Sequence, residues 1–449
     1  MENNNQIKIS LKATITIIII TIMIILIALI LIFNKNKNQV SHSNYNHRDY
    51  DYNIPDENIS DIIENNNNPN IEYLNSNNDF DINFLKLESN KQNLIYSPLS
   101  IKYGLNLLND GANGNTKKEI ETVIKDLSLT KYDNIDNVLS LANCIYMKDD
   151  FTDSILDSYK NSIKQKYNAE INFDSFKDAQ NINNWIKEKT LGQIPNMLND
   201  KIVQNPNLKL LLINSLAINM EWESPFESTE TNGKPFYLEN GNEIIATTMN
   251  KDYYSFNKTG SYYLDSNLTA VSLKLKKYNN NEFEFIAIMP NSDLTNYIKN
   301  LNIDDINTIS SKCVPVSETE NGINISIPRF SFEYDLALKN DLKNIGINEA
   351  FSDSADLSNI TGDNNLFVGD ALHKSNIDFS EEGVKASAST VMSILEKSAE
   401  FEDENKLIEI NINRPFLFLI KDKLTNEIWF VGTVFEPNLW SKDKSEYKY

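Results

Sequence analysis

The sequence predicts an α+β domain that takes up most of the chain, and three observations carry the prediction. Helical periodicities come largely first and strand-like runs later, a segregation typical of α+β architectures. The run LKLLLINSLAINMEW (Leu208 to Trp222) is apolar at nearly every position of its first half, which is the signature of a central strand buried on both faces. The chain then closes on two apolar strands, IEININRPFLFLIKD and EIWFVGTVFEP, separated by a Thr-Asn turn.

Composition narrows the function classes. With 449 residues, 41% of them hydrophobic, the chain has room for one large domain or two ordinary ones. A net charge of -21 leaves no basic surface to neutralise phosphates, so no nucleic-acid partner is expected. The two cysteines, Cys144 and Cys313, exclude a disulfide framework. Of three histidines, His42 and His47 lie near the N-terminus and only His373 lies downstream. A Ser-His-Asp or Cys-His hydrolase would therefore have to use His373, and no G-x-S-x-G frame accompanies it. H-E-x-x-H, C-x-x-C and Walker motifs are absent as well, so neither an enzyme nor a metal or cofactor is expected.

Residues 1–12 are a polar N-terminal segment. Ala13 to Phe33 is then an uncharged, almost wholly apolar run of membrane-spanning length. Lys8 and Lys12 precede it and Lys35, Lys37 and Arg48 follow, so charge bias leaves the orientation open. The run is long for a signal peptide and Phe33-Asn34-Lys35 is a poor cleavage site. It reads as an uncleaved signal-anchor with the remainder extracellular; cleavage near Ser43 would give a secreted protein instead. Residues 34–74 are rich in Asn, Asp, Tyr and Ser without periodicity, as in a flexible spacer. The folded domain is expected over 75–440, followed by a polar tail over 441–449.

Within the domain, Phe80, Phe84, Leu85 and Leu87 mark a helical face from about Asn78. NLIYSPLSI (Asn93 to Ile101) reads as a short strand, a Ser-Pro helix start and a helix through Leu108, with Pro98 where its missing N–H costs nothing. GANGNTKKEI (Gly111 to Ile120) turns on two glycines and predicts a cap at Asn115 or Thr116, with Glu119 in capping-box position to Thr116. LANCIYMKDDF (Leu141 to Phe151) alternates as a strand, and a helix is expected over Asp153 to Lys166. NINNWIKEKTLGQIPNML (Asn181 to Leu198) is amphipathic around Ile182, Trp185 and Ile186 and breaks at Gly192 and Pro195. Asn214 interrupts the central apolar strand and needs a buried partner. Further strands are expected between Thr247 and Pro290, at Ile325 to Asp335 leading into a short helix ending near Gly346, and at Phe367 to His373.

One stretch, EEGVKASASTVMSILEKS (Glu381 to Ser398), is ambiguous in isolation. It fits a solvated Ala/Ser-rich loop, and it fits a strand with Val384, Ala386, Ala388 and Thr390 on one face at period two. No Pro from Gly383 to Ser398 blocks a ladder of hydrogen bonds.

Eight collinear segments resolve the choice: NLIYSPLSI, GANGNTKKEI, LANCIYMKDDF, INNWIKEKTLGQI, INSLAINMEW, IPRF, HKSNIDFSEEG and RPFLFLIKD. In this order they resemble the serpin family of protease inhibitors, from about Asn75 to Trp440. The resemblance implies a serpin fold of three β-sheets with eight or nine helices and an exposed reactive-centre loop, here about residues 381–405. Glu381, Glu382, Gly383, Val384, Ala386, Ala388 and Thr390 match the hinge of that loop. The family's spacing from the hinge acid sets the reactive bond at Lys397-Ser398, and a Lys before the cut suits a trypsin-like serine protease. Ser97, Ser100, Asn214 and His373 match a hydrogen-bonded shutter beneath the sheet that accepts the loop, and Trp222 matches the breach at its top. The implied mechanism is that of a suicide substrate. The protease forms an acyl-enzyme on Lys397, and insertion of the severed loop into the sheet traps it.

The chain departs from the family in places. Val384 stands where a Thr or Ser is usual, and Lys385 where an acid is usual; neither places a charge on the inserting face. Little room remains around Leu127 to Leu141 for the helix that binds heparin-like polysaccharides in some relatives, so no such activator is expected. The acidic EFEDEN (Glu400 to Asn405) lengthens the segment after the reactive bond; it fits both an exosite for a basic target surface and a solvated linker. The expected partners are thus a trypsin-like protease, held covalently by a monomer, and the membrane through residues 13–33. The competing readings are a non-inhibitory surface-binding or chaperone protein of the same fold, an inhibitor of cysteine proteases, and a tethered adhesin.

Overall fold

The computed structural model describes residues 80–88, 90–125, 129–254, 260–318, 322–363, 366–385 and 407–441. The apolar run at 13–33, the spacer, most of the Ala/Ser stretch with its Lys397-Ser398 bond, and the acidic EFEDEN segment lie outside these. Among the described residues no helix is long and apolar enough to cross a membrane.

Three sheets and ten α-helices make up the described fold. A six-stranded sheet has the order Phe330–Leu336, Asp370–Phe379, Gly383–Lys385, Leu210–Glu221, Leu139–Lys148, Glu170–Asp174. Seven strands form a second sheet: Leu94–Tyr96, Ile428–Val434, Phe416–Asp422, Phe283–Pro290, Leu268–Lys274, Gly260–Leu264 and Val314–Pro315. Ile408–Asn411, Ile323–Pro328, Glu243–Tyr253 and Asn232–Tyr237 form the third, of four strands.

The continuous apolar character of Leu210–Glu221 follows from its position. Leu211 and Ile213 face Ile182, Ile186 and Ile194, from helix Gln180–Lys189 and the segment after it. Leu216, Ile218 and Met220 face the aromatic core shared with the seven-stranded sheet. Both faces are covered, so period-two alternation vanishes from the sequence. Helix Pro98–Gly111 starts as its sequence requires: Ser97 caps it by accepting the Ser100 N–H, and Pro98 occupies the first turn.

Several expectations need correction. The helix at Gly114–Ile124 is preceded by Asn113, whose side chain makes no cap bond. The predicted capping pair is used elsewhere. Thr116 Oγ1 accepts the N–H of Asp356, and Glu119 accepts those of Asn348 and Glu349. Tertiary donors outcompete the local cap. The single strand expected at Ile325 to Asp335 is two strands in different sheets, divided at Arg329, whose N–H donates to Thr247 O at 2.8 Å. The chain stays extended as it crosses between sheets, so residue pattern shows no break. The strand expected at Phe367 to His373 instead runs Asp370–Phe379. Its inward residues after Ala371 are His373, Ser375, Ile377 and Phe379, and the first two masked the alternation.

Candidate functional site: a forked sheet

Leu210–Glu221 and Asp370–Phe379 run parallel, and they pair directly only over Asp370↔Leu211, Ala371↔Leu212 and Leu372↔Ile213. The next residues along the two strands are Asn214 and His373, and there the sheet forks. At the far end of the fork the three-residue strand Gly383–Lys385 lies between the two, antiparallel to both. It pairs Val384 with Phe379 on one side and with Met220 on the other. Between these ends lies a gap of about 10 Å³, lined by Ile95, Gln193, Ile218, Asn376, Ile377, Val384, Ile420 and Phe430.

The short strand is entered through a tight turn. Ser380 and Gly383 exchange backbone hydrogen bonds of 3.0 and 3.3 Å around Glu381-Glu382. Gly383 is dictated by close approach, since a Cβ there would fall 2.1 Å from Met220 O. Trp222 secures the turn from the neighbouring strand. Its N–H donates to Glu382 O at 2.9 Å, and its indole Nε1 donates to Ser380 O at 2.8 Å. The ring is 1% exposed and meets Phe285 and Phe379 edge-on. Glu381 pairs with Arg329 at 3.4 Å and accepts the Thr231 hydroxyl at 2.8 Å.

At the base of the fork, His373 is buried and its Nε2 accepts the Ser97 N–H at 2.9 Å. The Ser375 hydroxyl lies 3.1 Å from the same nitrogen. Ser97 Oγ in turn accepts the Ser100 N–H at 3.1 Å. With Nε2 an acceptor, the imidazole is neutral, and burial holds its pKa down at about 3. Asn214 bonds across the sheet instead, its Nδ2 donating to Asn143 Oδ1 at 2.8 Å. Its side chain fills the space over Gly104, where a Cβ would sit 2.0 Å from Asn214 Oδ1. Helix Pro98–Gly111 therefore touches both sides of the fork. Ser97 reaches one strand and Gly104 admits Asn214 from the other.

Of the residues singled out in the sequence, Ser97, Ser100, Asn214, His373, Trp222 and Glu381 to Val384 thus line the two ends of the fork. Ala386, Ala388, Thr390, Lys397 and Ser398 lie outside the described residues. Sequence reasoning missed Asn143, Ser375, Thr231, Arg329 and Gln193. Only Asn143 carried a signal: it is a polar residue in an apolar strand, and the register sets it directly opposite Asn214.

Comparison with known proteins places this geometry. The model of the family described as "Serpin (serine protease inhibitor)" matches residues 75–437. The chain belongs to the serpin family. The leukocyte elastase inhibitor of Xenopus tropicalis is 30% identical over 389 residues, covering 80% of this chain and 97% of the relative. Human alpha-1-antichymotrypsin is 29% identical over 374 residues, covering 79% and 84%. Among solved structures, the native state of the thermophilic serpin Tengpin matches with a TM-score of 0.65 at 27% identity, covering 81% of this chain and 94% of that one. The three sheets are those of the serpin fold. The family is described by its inhibition of serine proteases, and His373 lies enclosed beneath the sheet.

Proposed function

We propose that this serpin inhibits trypsin-like serine proteases as a suicide substrate, with the reactive bond at Lys397-Ser398 and the domain displayed outside the cell on an N-terminal anchor. The observation that supports it best is the seat of Val384. This residue is 2% exposed and already occupies a place between the two strands of the fork. Each step forward from it is a step back on both neighbours. Continued, the register would set Ala386 between Ile218 and Ile377, Ala388 between Leu216 and Ser375, and Thr390 between Asn214 and His373. The small residues 386–390 would then close the fork down to its base. Positions 386, 388 and 390 would share the inward face of Val384, and their small or β-branched side chains would bring no charge into the sheet.

On this reading a protease serine attacks the carbonyl carbon of Lys397. The bond to the Ser398 nitrogen breaks, and the amine leaves with a proton from the protease. The new end of the chain, still esterified to the enzyme, is drawn away as residues 386 onward enter the sheet, before water reaches the ester. The anchor reading rests on the uncharged run at 13–33, and protease shaving of intact cells with membrane fractionation tests it. Full-length protein recovered only from the soluble cytosolic fraction would remove it.

The decisive experiment mixes the full chain with trypsin. The expected result is a covalent complex stable to denaturant, with a released fragment beginning at Ser398. Complete cleavage without a complex would make Lys397 a substrate site only. In Lys397→Ala, trypsin inhibition should disappear while the fold is retained, because on this reading the change lies in a loop outside the core.

A further inference from the structure

We propose that Gln193 is a latch on the forked sheet, occupying the hydrogen-bond acceptor that the incoming strand must take first. The inference deepens the trap reading above and rests on it.

Gln193 lies on the segment after helix Gln180–Lys189, on the outer face of the sheet. It is 7% exposed, and it tethers both strands across the gap. Its Nε2 donates to Ile218 O at 3.0 Å on one side, and its own carbonyl accepts Asn376 Nδ2 at 2.9 Å on the other. The side chain is held in this position from behind. Thr190, fully buried, accepts the Gln193 N–H on its carbonyl at 2.9 Å and the Ile194 N–H on its hydroxyl at 3.1 Å. Gly192 makes the turn with φ +80°, a conformation that other residues rarely adopt.

The direction of the Ile218 carbonyl gives the contact its meaning. Asn219 donates its N–H to Val138 O at 2.7 Å, toward the Leu139–Lys148 strand. Its neighbours Ile218 and Met220 therefore point their backbone groups the other way, into the fork. Trp222 N–H bonds to Glu382 O, so 222 with 382 is a hydrogen-bonded pair. In an antiparallel ladder such pairs recur every second residue, which makes 220 with 384 and 218 with 386 the next two. The N–H of Ala386, the first residue to follow the short strand, would need the carbonyl of Ile218. In the forked sheet Gln193 Nε2 stands in for that N–H.

Gln193 thus acts as a positioning residue that stabilises the open sheet and is displaced as the loop enters. It supplies a buried carbonyl with its partner while the fork is open. In the filled sheet the strand itself supplies that partner, so removing the amide raises the free energy of the open form alone.

The test uses the full chain and a synthetic peptide with the sequence of residues 386–397, whose uptake into the fork is followed by native electrophoresis. Q193M keeps the side-chain length and removes the donor. N376A removes the second tether and is a milder change in a half-buried position. Q193M should take up the peptide roughly fivefold to tenfold faster than the parent, the equivalent of one hydrogen bond lost from the open form. N376A should fall between them. The thermal stability of the peptide-filled form should be the same in all three, which a general packing role would not allow. Uptake at the parent rate in both variants, or in N376A alone if Q193M does not fold, overturns the latch and leaves the trap reading standing. A loss of stability in the filled form as large as in the open form overturns it too. Failure of the parent chain to take up the peptide removes the trap reading and the latch together.

Discussion

Glu381 and Arg329 form an ion pair of 3.4 Å that ties the turn before the short strand to the crossing between two sheets. Arg329 lies between Ile323–Pro328 in the four-stranded sheet and Phe330–Leu336 in the six-stranded one. Glu381 is therefore attached to the chain where it crosses from one sheet to the other. In Glu381→Lys two cations face each other, and the Thr231 hydroxyl loses its acceptor. The open form should lose roughly 1 kcal/mol for a partly exposed pair. On mild heating the variant should form polymers sooner than the parent, as read on a native gel. An unchanged onset of polymers would show that the pair does not restrain the turn.

His373 makes the base of the fork sensitive to acid. Its folded pKa is depressed to about 3 by burial, below the ordinary value of 6.5. A depressed folded pKa contributes stability that is complete above the unfolded pKa and is lost as pH falls toward the folded one. The open form should therefore weaken steadily below pH about 6.5, as the unfolded or opened chain takes up a proton that the buried imidazole refuses. His373→Ala should remove that slope. It should also weaken the fork at neutral pH by roughly 1–3 kcal/mol, because the Ser97 N–H loses its acceptor. Polymer formation measured between pH 4 and pH 8 checks both effects. A variant that stays monomeric on heating, with the parent's acid response, would exclude a role for His373 at the fork.

Insertion, not loop recognition alone, should decide the outcome of an encounter with protease. Continuing the register of Gly383–Lys385 would place Ala388 beside Leu216, on the inward face begun by Val384. An arginine there would carry its charge into an apolar core, at several kcal/mol. Ala388→Arg should still be cleaved after Lys397 but should release active protease, turning an inhibitor into a substrate. Unchanged trapping stoichiometry in Ala388→Arg would falsify the inward assignment.

The central strand and Asn214 within it were legible for a physical reason, whereas the other residues at the ends of the fork were named through the family resemblance. Leu210–Glu221 is covered on both faces, so its apolar run survives in the sequence, and a polar Asn214 within it stands out. Residues whose role depends on a distant partner were not legible. Gln193 reads as an ordinary polar residue at a helix break, and only the carbonyl of Ile218 above the gap gives it a task. Arg329 was hidden because the chain remains extended through it while changing sheets. Thr116 and Glu119 had the spacing of a capping box, but the N–H groups of Asn348, Glu349 and Asp356 claimed their oxygens. Local patterns report local energetics, and these sites are settled by contacts 25 to 240 residues apart in the chain.

A buried aspartate beside a half-buried glutamate, away from the fork, should give the domain a second pH response, of opposite sign. Asp341, on helix Leu338–Asn344, is 5% exposed. Burial, reinforced by the charge of Glu88 and a hydrogen bond with it, pushes its pKa up to about 8. Glu88 is engaged by the Tyr334 hydroxyl, to which Gln92 Nε2 donates at 3.1 Å, and the Tyr96 phenol lies within the field of Asp341. A carboxyl so shifted keeps its proton in the folded chain at pH values where the unfolded chain has lost it. A folded pKa raised above the unfolded value contributes stability that is complete below pH about 4 and is lost as pH rises to about 8. Asp341→Asn keeps a donor toward Glu88 and has no proton to lose. Its Tm should match that of the parent near pH 4, where both side chains are neutral. Near pH 8 it should exceed the parent's, because only the parent must then hold or lose a proton at this site. Thermal melts at the two pH values measure the difference. A parent and variant whose melts run parallel over the whole range would mean that Asp341 is ionised in the folded state.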